Sequence, residues 1–196
     1  MLFFYKKYLG LLVYLPDKIK VMERTDSVAS KSFFYKDALE IAPAIIGQYI
    51  VRQYPGSENS VYTYRLKEIE VYRGQEDKAN HAHRGKTNRN SLLFEEGGIL
   101  YVYLIYGMHW MLNIVTGNKN DPQAILIRAI EGYDGPGKLT KALSVNNEFN
   151  GKPLGAATGL WFDIGQPAHY ITKSRVGIAY ADKYWQQRPW RFIYKI

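Results

Sequence analysis

Hydrophobic and polar positions change period several times along the chain, and each change marks an element. The stretch Asp37 to Ile46 spaces apolar residues as a helix does. Asp37 is a helix-capping residue type, Gly47 follows as a stop, and Pro43 predicts a break inside the run. Gln48 to Gln53 reads as a strand closed by a turn at Pro55-Gly56. Val61 to Tyr72 is rich in β-formers and alternates, which predicts a longer strand. Strict alternation there puts Leu66, Glu68, Glu70 and Tyr72 on one face, and Lys67, Ile69 and Val71 on the other. Ile99 to Ile105 and His109 to Thr116 read as two strands of a hairpin turning at Tyr106-Gly107-Met108. Ala124 to Ile130 is a further strand, with Arg128 inside an otherwise apolar run. Gly135-Pro136-Gly137 feeds a short helix from Lys138 to Leu143, and residues 144–165 read as loop. Arg175 to Ala179 and Arg191 to Tyr194 read as closing strands. Residues 73–98 form a long polar connection, and a connection of that length in a compact domain usually carries function. Residues 1–31 show no strong period and read as an N-terminal extension to a domain over residues 32–196. Many strands with a few short helices predict an α+β fold in one compact domain.

Composition narrows the function classes. With 46% hydrophobic and 22% charged residues the chain has a core to bury, which excludes disorder for most of it. The absence of cysteine excludes disulfides, thiolate nucleophiles, cysteine-zinc sites and iron–sulfur clusters. No stretch reaches the roughly 18 apolar residues of a membrane helix. The N-terminal apolar run is split by Lys6 and Lys7, and no small-x-small cleavage site follows directly, so a signal peptide is not expected. Two numbers stand out: a net charge of +8, and 17 Tyr beside 8 Phe and 4 Trp. A basic, tyrosine-rich chain suits a polyanion whose bases stack on rings. The charge is uneven, at +3 over residues 65–90, −2 over residues 91–164 and +5 over residues 165–196. If the two basic segments meet in space, they form a face that tracks phosphates.

Several residues carry candidate chemistry. Glu70, beside Glu68 and Tyr72 on a strand, is either part of a solvated face or a carboxylate poised by desolvation as a general base. His81-Ala82-His83 could chelate a metal from a strand, but no known ligand spacing accompanies it, and no metal or other cofactor is expected. Glu68-Ile69-Glu70 lacks the lysine of a nuclease carboxylate motif. Tyr101 and Tyr103 share a strand face, as a tyrosine-rich core would have them, whereas Tyr106 falls at the turn, where a protruding ring could enter a base stack. Asn113 and Arg128 lie in apolar strands and need polar partners; Glu70 is an attractive one for Arg128. Gly135-Pro136-Gly137-Lys138 lacks the spacing of a Walker phosphate loop and reads as a helix start.

Taken in order, these motifs resemble a family. Glu68-Ile69-Glu70-Val71-Tyr72, Glu76-Asp77, His81, Arg84-Gly85, Arg89-Asn90, Leu100-Tyr101-Val102-Tyr103, Tyr106-Gly107-Met108, Asn113, Leu126-Ile127-Arg128-Ala129 and Arg175-Val176-Gly177-Ile178 follow the sequence of the alkyladenine (3-methyladenine) DNA glycosylases. The resemblance runs over about residues 36–194. It implies a mixed fold around a curved, barrel-like antiparallel sheet with short surrounding helices. It implies removal of alkylated or deaminated purines from double-stranded DNA by a monomeric intracellular enzyme that works on DNA, with no membrane partner and no cofactor. It puts Glu70 at the general base and Arg128 at the residue that holds the water and a phosphate. Tyr72, His81, Tyr103 and Asn113 fall at the base pocket, Tyr106 at the wedge that fills the vacated stack, and Val176 at a backbone carbonyl on the water. Asn88 departs from the proline usual in the family. Two other classes compete: a non-enzymatic nucleic-acid binder, which leaves Glu70, Asn113 and Arg128 without a job, and a metal-dependent nuclease built on Glu70, Asp77 and His81.

Overall fold

The longest alternating run of the sequence becomes the axis of the fold. The computed structural model describes residues 11–13, 20–22, 28–56 and 61–195. Strands β1 (Leu11–Val13) and β2 (Lys20–Met22) pair with each other in a separate antiparallel ladder. The rest of the expected extension, up to residue 27, lies outside the described residues. Helix α1 (Ala38–Ile45) follows, then β3 (Tyr49–Gln53) and the 13-residue β4 (Val61–Arg73). The hairpin is β5 (Leu100–Ile105) and β6 (His109–Val115), and β7 (Gln123–Ile130) runs into the two-residue β8 (Tyr133–Asp134) and helix α2 (Pro136–Ala142). The chain closes with β9 (Leu160–Asp163), β10 (Tyr170–Lys173), helix α3 (Lys183–Gln186) and β11 (Arg191–Tyr194). Among the described residues no helix is long and apolar enough to cross a membrane.

The fold is α+β, but its sheet is open and not barrel-like. The main path runs β10-β11-β4-β7-β6-β5, and β3 and β9 branch from the first half of β4. The branch arises because β4 is longer than any partner. Its residues 61–65 pair with β3, its residues 68–70 pair with β11, and its other edge pairs with β7. Closure would require β5 to meet β10. The outer edge of β5 instead bonds a loop, with Leu100 N–H donating to the Lys152 carbonyl at 2.9 Å and Val102 N–H to the Asn150 side chain at 2.9 Å. A covered edge no longer offers a free ladder to another strand.

Two single-residue irregularities break the β4–β7 register, one between Leu66 and Glu68 and one between Glu68 and Ile69. Glu68 pairs with Ala129 and Ile69 with Ile127, so Lys67 is the extra residue on β4 and Arg128 the extra residue on β7. Each bulge shifts the alternation by one position and re-aims a side chain. Leu66 therefore enters the core with Ile69 and Val71, and does not share the face of Glu68 and Glu70 that strict alternation predicts.

Other expectations need correction. Pro43 does not break α1. The helix keeps its Asp37 cap, whose side chain accepts the Leu39 N–H, and buries Ala38, Ile41, Ala42 and Ile45. That packing outweighs the ~3 kcal/mol that an interior proline costs. Residues 144–165 are not all loop, because β9 pairs with β3. The strand expected over Arg175 to Ala179 lies earlier, at β10, and residues 175–179 are held by side-chain contacts instead. The core runs under one face of the sheet, with α1, α2 and Phe34, Phe149 and Phe162 against it. Of the described tyrosines only Tyr101 is buried; Tyr64, Tyr72, Tyr103 and Tyr194 are partly buried against the core clusters, and Tyr106, Tyr133, Tyr170, Tyr180 and Tyr184 are exposed.

Candidate active site

On the sheet face opposite the core, strand register gathers residues that are far apart in sequence. Arg191 pairs with Glu70, Glu70 with Leu126, Leu126 with Asn113 and Asn113 with Tyr101. One row across the sheet therefore carries five residues from five strands, and directly paired residues share a face. Tyr72 opposite Ala124, and Tyr103 two positions beyond Tyr101, extend the same patch.

Glu70 is fully buried. Its Oε1 accepts the backbone N–H of Val176 at 2.7 Å. Its Oε2 accepts the Tyr72 hydroxyl at 3.0 Å and Arg128 Nη1 at 3.3 Å. Arg128 is also tied through Nε to Glu68 at 2.8 Å, and Glu68 receives Arg191 at 3.3 Å. The bulge at Arg128 lets one guanidinium span both glutamates. Burial pushes the Glu70 carboxyl above its ordinary range, opposed by Arg128, the Val176 N–H and the Tyr72 hydroxyl. The Tyr72 hydroxyl is itself pushed well up, chiefly by burial and then by the Glu70 charge. A carboxylate has about four acceptor positions. Three donors occupy Glu70, which leaves room for one more.

Next to this carboxylate, on the far side of Tyr72, lies a small pocket lined by Tyr72, His81, Tyr101, Tyr103, Asn113 and Tyr180 among others. The His81 ring stands 4.7 Å from the Tyr103 ring, and its Nδ1 is 3.1 Å from the Tyr101 hydroxyl. Burial, then Arg89, push the imidazole down, toward its neutral form. Burial raises the Tyr101 hydroxyl to about 12, so it stays a donor. Asn113 donates its amide to the Tyr101 carbonyl at 3.0 Å, which fixes the side chain in the pocket wall.

The long polar connection is ordered, because buried amides and a carboxylate stitch it. Asn80 donates to the Gly74 and Pro122 carbonyls at 2.9 and 3.0 Å, and Asn90 to those of His81 and Gly85 at 2.9 and 3.0 Å. Asp77 caps Ala79 N–H at 3.0 Å. Among the described residues no group of three or more His, Cys, Asp or Glu side chains is gathered to hold a metal ion. His83 turns away from His81, with Nδ1 at 3.2 Å from the Asn80 carbonyl.

Tyr106 stands apart at the tip of the β5–β6 hairpin, 83% exposed. Tyr106 and Gly107 both take positive φ, at 53° and 68°, and Met108 N–H closes the turn on the Ile105 carbonyl at 3.2 Å. Glycine accepts that backbone freely; a tyrosine there is strained. Met108 is exposed beside it.

A family model described as methylpurine-DNA glycosylase matches residues 32–134 and 131–196. The chain belongs to the methylpurine-DNA glycosylase family. Relatives agree. A protein of Borreliella burgdorferi (strain ZS7) named "Putative 3-methyladenine DNA glycosylase" is 37% identical over 177 residues, 83% of this chain and 94% of its own. A Methanocella arvoryzae protein of the same name is 37% identical over 189 residues, 86% of this chain and 92% of its own. One from Chlorobium phaeobacteroides is 42% identical over 146 residues, 65% of this chain and 74% of its own. In this methylpurine-DNA glycosylase family member Glu70, Arg128, Tyr72 and Val176 come together, and Tyr72, His81, Tyr103 and Asn113 line one pocket. Tyr106 is exposed at the hairpin tip and does not line the pocket. Val176 faces Glu70 through its N–H. Sequence reading missed the pocket roles of Tyr101 and Tyr180 and the buried pair of Asp77 with Arg175. The usable signal was two opposite charges inside matched motifs, Asp77, weighed only as a metal ligand, and Arg175, given no role.

Proposed function

We propose that the protein is a DNA glycosylase that flips alkylated or deaminated purines out of duplex DNA and hydrolyses the N-glycosidic bond, leaving an abasic site. The observation that carries this reading is Glu70: a fully buried carboxylate with three donors on its four acceptor positions, joined through the Tyr72 hydroxyl to an aromatic pocket, in a chain of this family. A base inside a duplex cannot be reached, so it leaves the stack at a cost of a few kcal/mol. Tyr106 fills the gap. Alkylated purines are often cationic, and the faces of Tyr72 and Tyr103 attract them. Asn113 excludes guanine by crowding its exocyclic amino group. A water on Glu70, also held by Arg128 and the Val176 carbonyl, gives its proton to the carboxylate as its oxygen bonds C1′. The C1′–N bond breaks, its electrons leave with the base, and the charge on Glu70 stabilises the oxocarbenium-like sugar. No lysine serves as a Schiff-base nucleophile, so the strand stays intact. The enzyme acts as a monomer inside the cell, on DNA.

The test is methylated duplex DNA incubated with wild type and with Glu70→Gln in EDTA, with freed bases separated by chromatography. Wild type releases methylated purine; Glu70→Gln binds the same DNA and releases none. Turnover by Glu70→Gln overturns the assignment, and loss of wild-type activity in EDTA favours a metal-dependent reaction.

A further inference from the structure

Arg175 and Asp77 form a fork-to-fork pair, Nη1 to Oδ2 at 2.5 Å and Nη2 to Oδ1 at 2.8 Å. Both side chains are 0% exposed. A buried ion pair is weak evidence for stability, because desolvation offsets much of the attraction, and apolar replacements of similar volume are often neutral. Its neighbours point to a different job. The guanidinium lies between the rings of Tyr72, at 4.8 Å, and Trp190, at 5.1 Å. It also donates to the Val71 carbonyl at 2.9 Å. It thus grips β4 on either side of the peptide that carries Tyr72. Asp77 belongs to the connection that bears His81, and it accepts the N–H of Arg73 at 3.3 Å, at the end of β4.

The chain next to Arg175 is held at each step. The Ser174 carbonyl accepts Arg191 Nε at 2.7 Å, Arg175 meets Asp77, and Val176 N–H meets Glu70 at 2.7 Å. Residues 175–179 have no strand ladder to place them. Arg175 is the buried anchor directly before Val176, with Ser174 held by Arg191 on one side and buried Ile178 on the other.

We infer that Asp77 and Arg175 are positioning residues for base release, which hold the Val176 N–H on Glu70 and the Tyr72 ring in the pocket wall. The inference rests on the reading of Glu70 as general base. The groups around that carboxylate are Arg128 from β7, Glu68 and Tyr72 on its own strand, Tyr103 from β5, Tyr180, and Arg191 acting through Glu68. The Val176 N–H favours the ionised carboxylate, so its loss moves the acid limb of the rate profile to higher pH.

The test is single-turnover base release from methylated duplex DNA at saturating enzyme, over a pH series, for wild type, D77N, the apolar swap D77L/R175M, and Glu70→Gln. Saturating single-turnover rates do not depend on how much of the enzyme is folded, so a purely structural role leaves them at the wild-type value. The swap is expected to fold, to release base about a hundredfold more slowly, as a misplaced catalytic group does, and to show its acid limb at higher pH. A wild-type rate and limb in the swap overturn the inference. If the swap does not fold, D77N decides by the same two readouts on its folded fraction. If Glu70→Gln keeps full rate, the reading of Glu70 fails instead, whatever the pair does.

Discussion

At Glu70 the cost of burying a carboxylate meets the proposed role of general base. Glu70 has its proton affinity raised by burial, and three hydrogen bonds oppose the rise only in part. A carboxyl that binds its proton more tightly folded than unfolded stabilises the fold most below the unfolded value of about 4.3. That contribution is lost as pH climbs through the folded value. At neutral pH the ionised group therefore weighs on the fold, and a neutral isostere relieves it. Glu70→Gln is expected to melt higher than wild type near pH 7.5, because the amide carries no charge to desolvate. The difference closes as pH falls below about 4. Calorimetry across the range checks it, and an equal or lower neutral-pH midpoint in the variant contradicts it. Pattern reading could name Glu70 as a candidate, but a glutamate on an alternating strand reads equally well as solvated. Burial and the three donors distinguish the two readings, and they come from β4, β7 and the segment before α3.

Among the elements, the β5–β6 hairpin was the most legible, since two apolar runs flank Tyr106-Gly107-Met108 and the turn follows from local chemistry. Tyr106 makes no core contact at its tip, so its replacement leaves stability within about 0.5 kcal/mol, as surface changes do. Tyr106→Ser is expected to slow single-turnover base release from duplex DNA at least about tenfold, through loss of the wedge. Stopped-flow kinetics with denaturation controls reads both; an unchanged rate removes the wedge role. Strand β4 was legible as a strand but not in its faces. The bulges at Lys67 and Arg128 depend on how β4 and β7 meet, and neither strand alone encodes them. Strands β9 and β10 were missed because four-residue pieces are too short to show a period, and they form where β3 and β11 offer edges.

For the whole molecule, the charge asymmetry acquires a geometry. The basic segments over residues 65–90 and 165–196 meet, since β11 pairs with β4, Arg175 with Asp77, and Lys78 bridges Asp182 at 2.8 Å. The site lies where they join. A protein that holds duplex DNA by such a surface releases counterions on binding. Raising salt from about 50 to about 200 mM is expected to weaken binding to undamaged duplex at least about tenfold. The single-turnover rate of the saturated complex stays nearly constant. Fluorescence anisotropy against salt measures the first, and a flat titration contradicts the phosphate-tracking face.

Local chemistry in the chain determined the α+β class, the Asp37-capped helix, the hairpin and its turn, and the roster of candidate residues, because capping, alternation and turn preferences act over a few positions. Tertiary structure alone decided that the sheet stays open, that Leu66 turns inward, that Arg128 reaches two glutamates, and that Asp77 and Arg175 meet with 97 residues between them. Each of these depends on register between distant strands or on burial, and both arise from packing that no short window of residues contains.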